Sequence, residues 1–493
     1  MPCKFESCLR YCLMLFTLLT LPLLGVFSLF FIDKTNEKLL KQFSLVWSFI
    51  IFHFSIFLLF SFNPLVGEFQ LLACLPWFWG SGISIFLGVD AISLSLIILT
   101  TFLISVCIIL CWSSFSHQFL KEYLIAFFFL EFTLLGVFCS LDLLLFYILF
   151  EAVLLPMYFI IGVFGSRDRR VRASYLLFLY TLISSVLMFI AILFLYSLTG
   201  TTDYLTLRSI VFEPFVEKLC WLGFFCSFAV KMPLVPFHIW LPEAHSEAPT
   251  AGSVILAGIL LKLGGFGFLR YSIGLFPDSS AFFTPLVYTI SSFGVVYASI
   301  TTLQQVDLKK IIAYSSVGHM GLTTIGLFSM NSQGVLGAVF LMISHGIVSS
   351  ALFLCVGFLY ERHHTRVIKY YTGLLHTMPL FSTFFLVFTL GNIGLPSTSS
   401  FIGEFLILLG CFPSSTWTAL FGASGMVLGA GYSLWLCNRI LFGNIKLFYV
   451  TTFKDLTRLE FSILSPFVFL TFLLGFYPEV LVNFLKLNLL CFQ

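Results

Sequence analysis

Fourteen apolar runs of membrane-spanning length follow one another along this 493-residue chain, and no other feature limits its fold as much. They lie at about 11–32, 43–62, 85–112, 122–139, 142–163, 173–197, 218–241, 249–275, 282–303, 310–330, 334–360, 374–412, 416–442 and 460–485. A spanning helix needs about 20 mostly apolar residues. In hydrocarbon each backbone N–H and C=O must find its partner within the protein, so runs of this length become α-helices. Only 10% of the residues are charged and the mean hydropathy is +1.06. Soluble chains carry about 25% charged residues, and this one cannot cover a globular surface with polar groups. That excludes a soluble enzyme, a disordered protein and a nucleic-acid binder. The expected fold is an all-α polytopic membrane protein of about 14 transmembrane helices. The first run follows Lys4 and Arg10 as a signal peptide would, but it is too long and lacks a small-residue cleavage site, so it is read as a retained helix.

Basic residues set the orientation, because short loops rich in Lys and Arg stay on the negative side of the membrane. Loops after odd-numbered runs carry 17 of the 25 Lys and Arg, among them Arg167, Arg169, Arg170 and Arg172. The opposite side, termini included, carries 6: Lys4, Arg10, Arg208, Lys218, Arg270 and Lys486. The termini are therefore expected on the positive side.

The two remaining cations, Lys231 and Lys262, fall inside runs, as do the acids Glu131, Glu151 and Glu404. A charge at the bilayer centre costs at least about 2.5–3.5 kcal/mol and marks an ion or proton path by default; the competing reading is a structural ion pair between helices. A buried Lys–Glu pair is a two-state element. A Glu brought close holds the proton on the Lys, and a Glu moved away lets it go. Pro233 and Pro236 follow Lys231 and must break that helix, and Pro396 breaks a second run shortly before Glu404. The breaks lie 163 residues apart, near the spacing of about 160 from the fourth run to the ninth. Two five-helix repeats, spans 4–8 and 9–13, then each carry a broken helix, and an odd number of helices inverts the second. Paired broken helices in inverted repeats mark a transport site. The expected division is 1–121 for the first three helices, 122–275 and 282–442 for the repeats, and 443–493 for the last helix. Protons are expected to enter near His238 and leave near Glu404.

His238 sits in the first break, and His319 and His345 lie in the tenth and eleventh runs. Histidine titrates nearest neutrality and suits a proton relay, with Glu131 as a further candidate. Packing histidines and a haem site are the alternatives. No P-loop occurs, Gly264-Gly265-Phe266-Gly267 lacks the spacing of a dinucleotide fold, and no cysteine spacing fits a metal or iron–sulfur site. The chain is expected to bind no metal, nucleotide or redox group.

The stretch Lys231-Met232-Pro233-Leu234-Val235-Pro236-Phe237-His238-Ile239-Trp240-Leu241-Pro242-Glu243-Ala244-His245 resembles the signature of the antiporter-like subunits of respiratory NADH:ubiquinone oxidoreductase. Leu303-Gln304-Gln305-Val306-Asp307-Leu308-Lys309-Lys310 and Phe401-Ile402-Gly403-Glu404-Phe405 agree, and the likeness runs from about 85 to 480. The resemblance implies a proton-translocating subunit of the membrane arm. Within it, Glu151 matches the fifth-helix glutamate, Lys231 the broken-helix lysine, Lys262 the eighth-helix lysine and Glu404 the acid of the second broken helix. His319 and His345 look like the histidines of the central hydrophilic axis. It further implies that NADH, FMN, iron–sulfur clusters and ubiquinone are handled by other subunits. The implied partners are sister antiporter-like subunits and lipids such as cardiolipin, in the mitochondrial inner membrane, with the termini towards the intermembrane space. The competing function is a cation/proton antiporter subunit of a multi-subunit exchanger.

Overall fold

The computed structural model describes residues 5–78, 83–114, 119–445 and 453–490; Lys4 and Lys446, counted in the charge argument above, lie outside them. In chain order the helices are α1 (Phe5–Phe31), α2 (Glu37–Ser61), α3 (Ala91–Ser114), α4 (Leu120–Cys139), α5 (Leu143–Ala152), α6 (Leu154–Phe164) and α7 (Arg170–Thr199). A short helix at Tyr204–Arg208 precedes α8 (Pro214–Lys231), α9 (Trp240–Glu247), α10 (Thr250–Ile255) and α11 (Leu261–Gly267). Then follow α12 (Pro277–Leu303), α13 (Leu308–Leu327), α14 (Ser332–His363), α15 (Pro379–Ile393), α16 (Ser399–Cys411), α17 (Thr416–Leu441), α18 (Arg458–Phe476) and α19 (Glu479–Leu490).

Among the described residues, eleven helical segments are long and apolar enough to cross a membrane. The difference from fourteen apolar runs has three local causes. The run at 218–241 stops being helical at Lys231, where Pro233 and Pro236 deny the backbone its donors. The run at 374–412 is two shorter helices, α15 and α16, parted around Pro396. Helix α13 has the length, but Lys309, Lys310, His319 and a series of Ser and Thr make it more polar. The fold also contains an antiparallel hairpin, β1 (Gln70–Phe78) and β2 (Ile83–Val89), with Cys74 opposite Phe86. The run at 85–112 therefore begins as strand and becomes helix at Ala91.

The chain forms two compact units. The first holds the chain up to Lys231 with Phe266–Ser280, and within it α7 packs on α8, α2 on α3 and α1 on α4. Its α4–α5 turn is fixed by buried Asp142. One carboxylate oxygen of Asp142 accepts the amides of Leu144 and Leu145 at 2.8 and 3.0 Å and caps α5. The other accepts the Thr202 hydroxyl at 2.6 Å. The Leu141 amide donates to the Phe86 carbonyl at 2.8 Å, which ties the hairpin to the same turn.

The second unit holds Met232–Gly265 and Ala281–Lys486. Its tightest packing is α14 against α16. A Cβ on Gly403 would lie 2.8–2.9 Å from the Leu341 backbone and Cβ, so only glycine lets α16 come this close, and Glu404 is the next residue.

Candidate functional site

In the first unit, α8 ends on Lys231, which is 3% exposed. Its ammonium donates to the Phe150 carbonyl at 3.3 Å and lies 4.1 Å from the centre of the Phe150 ring. That carbonyl is available because α5 ends at Ala152 and the helix restarts at Leu154. Glu151 is the next residue along and close enough to act electrostatically on Lys231, while Ser185 lies near its own side chain. The two charges do not meet in an ion pair here: the Lys is held by the carbonyl beside the Glu. Glu131 on α4 is fully buried, and neither of its carboxylate oxygens has a hydrogen-bond partner among the described residues.

The second unit brings four of the expected residues into one line. Lys262 sits on α11, flanked by π-helical turns at Leu256–Leu260 and Phe268–Ile273. Such turns inside an α-helix recur at functional sites. Its ammonium donates to the Ala257 carbonyl, in the first of these turns, and lies 2.8 Å from His345 Nδ1. An ammonium can only donate, so His345 Nδ1 accepts and a neutral ring carries its proton on Nε2. The His345 and His319 rings are 5.5 Å apart. His319 Nδ1 then lies 3.1 Å from one oxygen of Glu404 and its Nε2 3.2 Å from Asn392 Oδ1. Lys262 is fully buried, and His345 and Glu404 are 3% and 1% exposed. The second helix break serves this line directly. Gly394 caps α15 with φ +76°, and a Cβ there would meet the Glu404 carboxylate at 2.6 Å. Asn392 comes from the last turn of the helix before the break and Glu404 from the second turn after it.

His238 stands in the other break, 5% exposed, against the rings of Tyr297 and Tyr314 at 5.5 and 6.2 Å. The segment after it, α9, is held at its C-terminal end by cations. Arg366 donates to the Ser246 carbonyl, and Lys309 to the Ala248 carbonyl at 2.8 Å. This suits the negative pole of a helix. Lys310 pairs with Glu243 at 2.7 Å. His245 is fully buried and stacks on Phe353 at 4.5 Å.

Three of the cations counted above to one side of the membrane or the other are buried. Lys309 and Arg366 are 2% and 0% exposed. Arg270, in the first unit, is 1% exposed, pairs with Asp90 at 2.5 Å and lies between the Phe69 and Phe266 rings. Asn392 also escapes sequence reasoning: it stands within the broken stretch but carries no charge, and only the fold puts it on His319.

A lysine, two histidines and a glutamate that touch or nearly touch one after the other, inside the helical core, can pass protons by small changes of hydrogen-bond partner. Among the described residues no group of three or more His, Cys, Asp or Glu is placed to bind a metal. Residues 140–474 match the family model described as NADH:quinone oxidoreductase/Mrp antiporter, transmembrane. The chain is 55% identical to NADH-ubiquinone oxidoreductase chain 4 of Chondrus crispus, over 95% of this chain and 96% of that one. It is 53% identical to the chain of the same name in Marchantia polymorpha, over 94% of each. Among solved structures it matches a chain of respiratory complex I from Thermus thermophilus with bound NADH, with a TM-score of 0.87, 27% identity and coverage of 97% and 99%. A chain of the Mrp complex from a Dietzia species shares the fold, with a TM-score of 0.86, 19% identity and coverage of 98% and 97%. The chain belongs to the NADH:quinone oxidoreductase/Mrp antiporter family of transmembrane subunits.

Proposed function

We propose that this chain is a proton-translocating subunit in the membrane arm of a respiratory NADH:ubiquinone oxidoreductase. NADH oxidation, FMN, the iron–sulfur clusters and ubiquinone reduction belong to other subunits, and this one turns their free energy into proton movement. The observation that carries the reading is the buried line Lys262–His345–His319–Glu404, in a chain whose relatives bear the name of that enzyme. Lys231 and Glu151 form the switch of the first unit: Lys231 gives up its proton while it rests on the Phe150 carbonyl and holds it when Glu151 swings in. Lys262, His345, His319 and Glu404 relay the proton in the second unit, with His238 at the entrance. Glu131, without a hydrogen-bond partner among the described residues, is an accessory acid.

The proposed setting is the mitochondrial inner membrane, with fourteen spans, termini towards the intermembrane space and two inverted five-helix repeats at 122–275 and 282–442, between helices at 1–121 and 443–493. The helix breaks at Pro233 and Pro396 support the repeats. Sister antiporter-like subunits are the proposed protein partners. Exposed Arg167, Arg169 and Arg172 suit the headgroups of anionic lipids such as cardiolipin.

The second reading is a cation/proton antiporter subunit, favoured by the likeness to the Mrp fold. Reconstitution in vesicles separates them: proton uptake should require both NADH and quinone. Lys231→Met in the assembled enzyme should abolish most pumping while assembly persists. Pumping at the parent's ratio of protons to electrons would refute the carrier role.

A further inference from the structure

Glu404 has one carboxylate oxygen on His319 and a second, buried, with no hydrogen-bond partner among the described residues. A cavity lies beside it, lined by Gly318, His319, Asn392, Glu404, Gly429 and Tyr432 among others. The cavity measures about 30 Å³, above the roughly 10–15 Å³ that a cavity needs to hold a water. The site is polar enough to keep water. Beyond the carboxylate and the imidazole, buried Tyr432 on α17 brings its hydroxyl into the neighbourhood of the Asn392, Ser315 and Ser433 side chains. The chamber exists because α17 presents glycine to it. A Cβ on Gly429 would have only the Tyr432 side chain near it, the hydroxyl at 3.8 Å, so the room is real and not filled by a neighbour.

The geometry points to a water chamber between Glu404 and α17, in which Gly429 provides the room and Tyr432 orders the waters that take the proton from Glu404. This deepens the proposed function and rests on it. The carboxylic acid of Glu404 gives its proton to a water at the free oxygen. That water passes a proton to the next, and the carboxylate left behind is reprotonated from His319. Tyr432 is a positioning residue. Its hydroxyl can donate or accept, so it can follow Asn392, whose amide presents oxygen to a protonated His319 Nε2 and, turned over, nitrogen to a bare one.

The test uses the assembled oxidoreductase in vesicles, with NADH-driven proton pumping and its solvent isotope effect as readouts. Gly429→Ala introduces a methyl with no clash and displaces about one water. It should slow pumping by about tenfold, less than the roughly 10²–10⁴ for losing a proton-transfer group outright, and raise the isotope effect. Tyr432→Phe should do the same. Gly431→Ala is the control: same helix, exposed, with nothing within 4 Å of the new Cβ, and parent-like behaviour expected. Parent-like rates and isotope effects in both Gly429→Ala and Tyr432→Phe, in an enzyme whose Lys231→Met form no longer pumps, overturn the chamber and leave the proposed function standing. A Lys231→Met enzyme that pumps normally removes the proposed function instead.

Discussion

Lys262→Met separates what the lysine does for stability from what it does for transport. The substitution keeps an unbranched side chain of similar length and removes the ammonium. Two acceptors lose the ammonium, the Ala257 carbonyl and His345 Nδ1, the latter keeping the Ser349 hydroxyl at 3.5 Å. Each buried acceptor left unpaired costs about 1–3 kcal/mol. Against this, a fully buried cation no longer has to be kept out of water, which is worth several kcal/mol for one ion. The two terms offset to within a few kcal/mol, so the variant is expected to fold and assemble. Transport has no such compensation. Without the ammonium, His345 Nδ1 keeps only the Ser349 hydroxyl, at 3.5 Å, and the line to Glu404 starts one residue short. A positioned proton-transfer group is worth about 10²–10⁴ in rate, or about 3–5 kcal/mol of barrier. Assembly is read from the mobility of the intact enzyme on a native gel, and transport from the quench of a pH dye in vesicles fed NADH and quinone. Lys262→Arg sharpens the test, because arginine keeps the charge and donors but hardly deprotonates. A Met variant that assembles and pumps within twofold, roughly 0.4 kcal/mol, of the parent would refute the relay.

Two further expectations follow from the same geometry. Glu151→Gln should impair pumping strongly, and the double variant with Lys231→Met should be little worse than either single one, because neighbours acting as one unit are not additive; fully additive losses in the same vesicle assay would separate the two residues. A cysteine placed beside His238 should react with a polar thiol reagent from the matrix side, and one beside Glu404 from the opposite side; reversed labelling would overturn the proposed orientation and route.

Much of this site is legible in the sequence because charge is so expensive in hydrocarbon. Lys231, Lys262, Glu151 and Glu404 stand out simply as charges within apolar runs, and proline marks where the helices must stop. What the sequence hides is direction. It does not tell which face of α13 carries His319 or that His345 meets Lys262, residues 83 apart in the chain. It does not reveal the π-helical turns around Lys262, since these depend on backbone pairing within an uninterrupted apolar run. Asn392 and Tyr432 are uncharged and look like ordinary residues of a span. The hairpin at Gln70–Val89 escapes for a different reason: strands of this length, rich in apolar residues, cannot be told from a buried helix by periodicity alone.

The buried arginines and lysine bear on orientation as well as on packing. Counting cations to one side or the other assumes that they face water there, and Lys309, Arg366 and Arg270 break that assumption. The positive-inside bias concerns charges that must stay on one side while the chain inserts, so those folded into protein contacts should be weighed apart. Removing Lys309 and Arg366 from the 17 cations of the odd-numbered loops leaves 15, and removing Arg270 from the 6 opposite leaves 5. The bias stays at about threefold and keeps its sign. Two of the same cations also serve the break that contains His238, because Arg366 and Lys309 hold the carbonyl end of the neighbouring α9. A helix interrupted at membrane depth exposes carbonyls that lipid cannot satisfy. Cations drawn in from the adjoining loops satisfy them, which is how a chain so poor in charge can keep a broken helix beside His238.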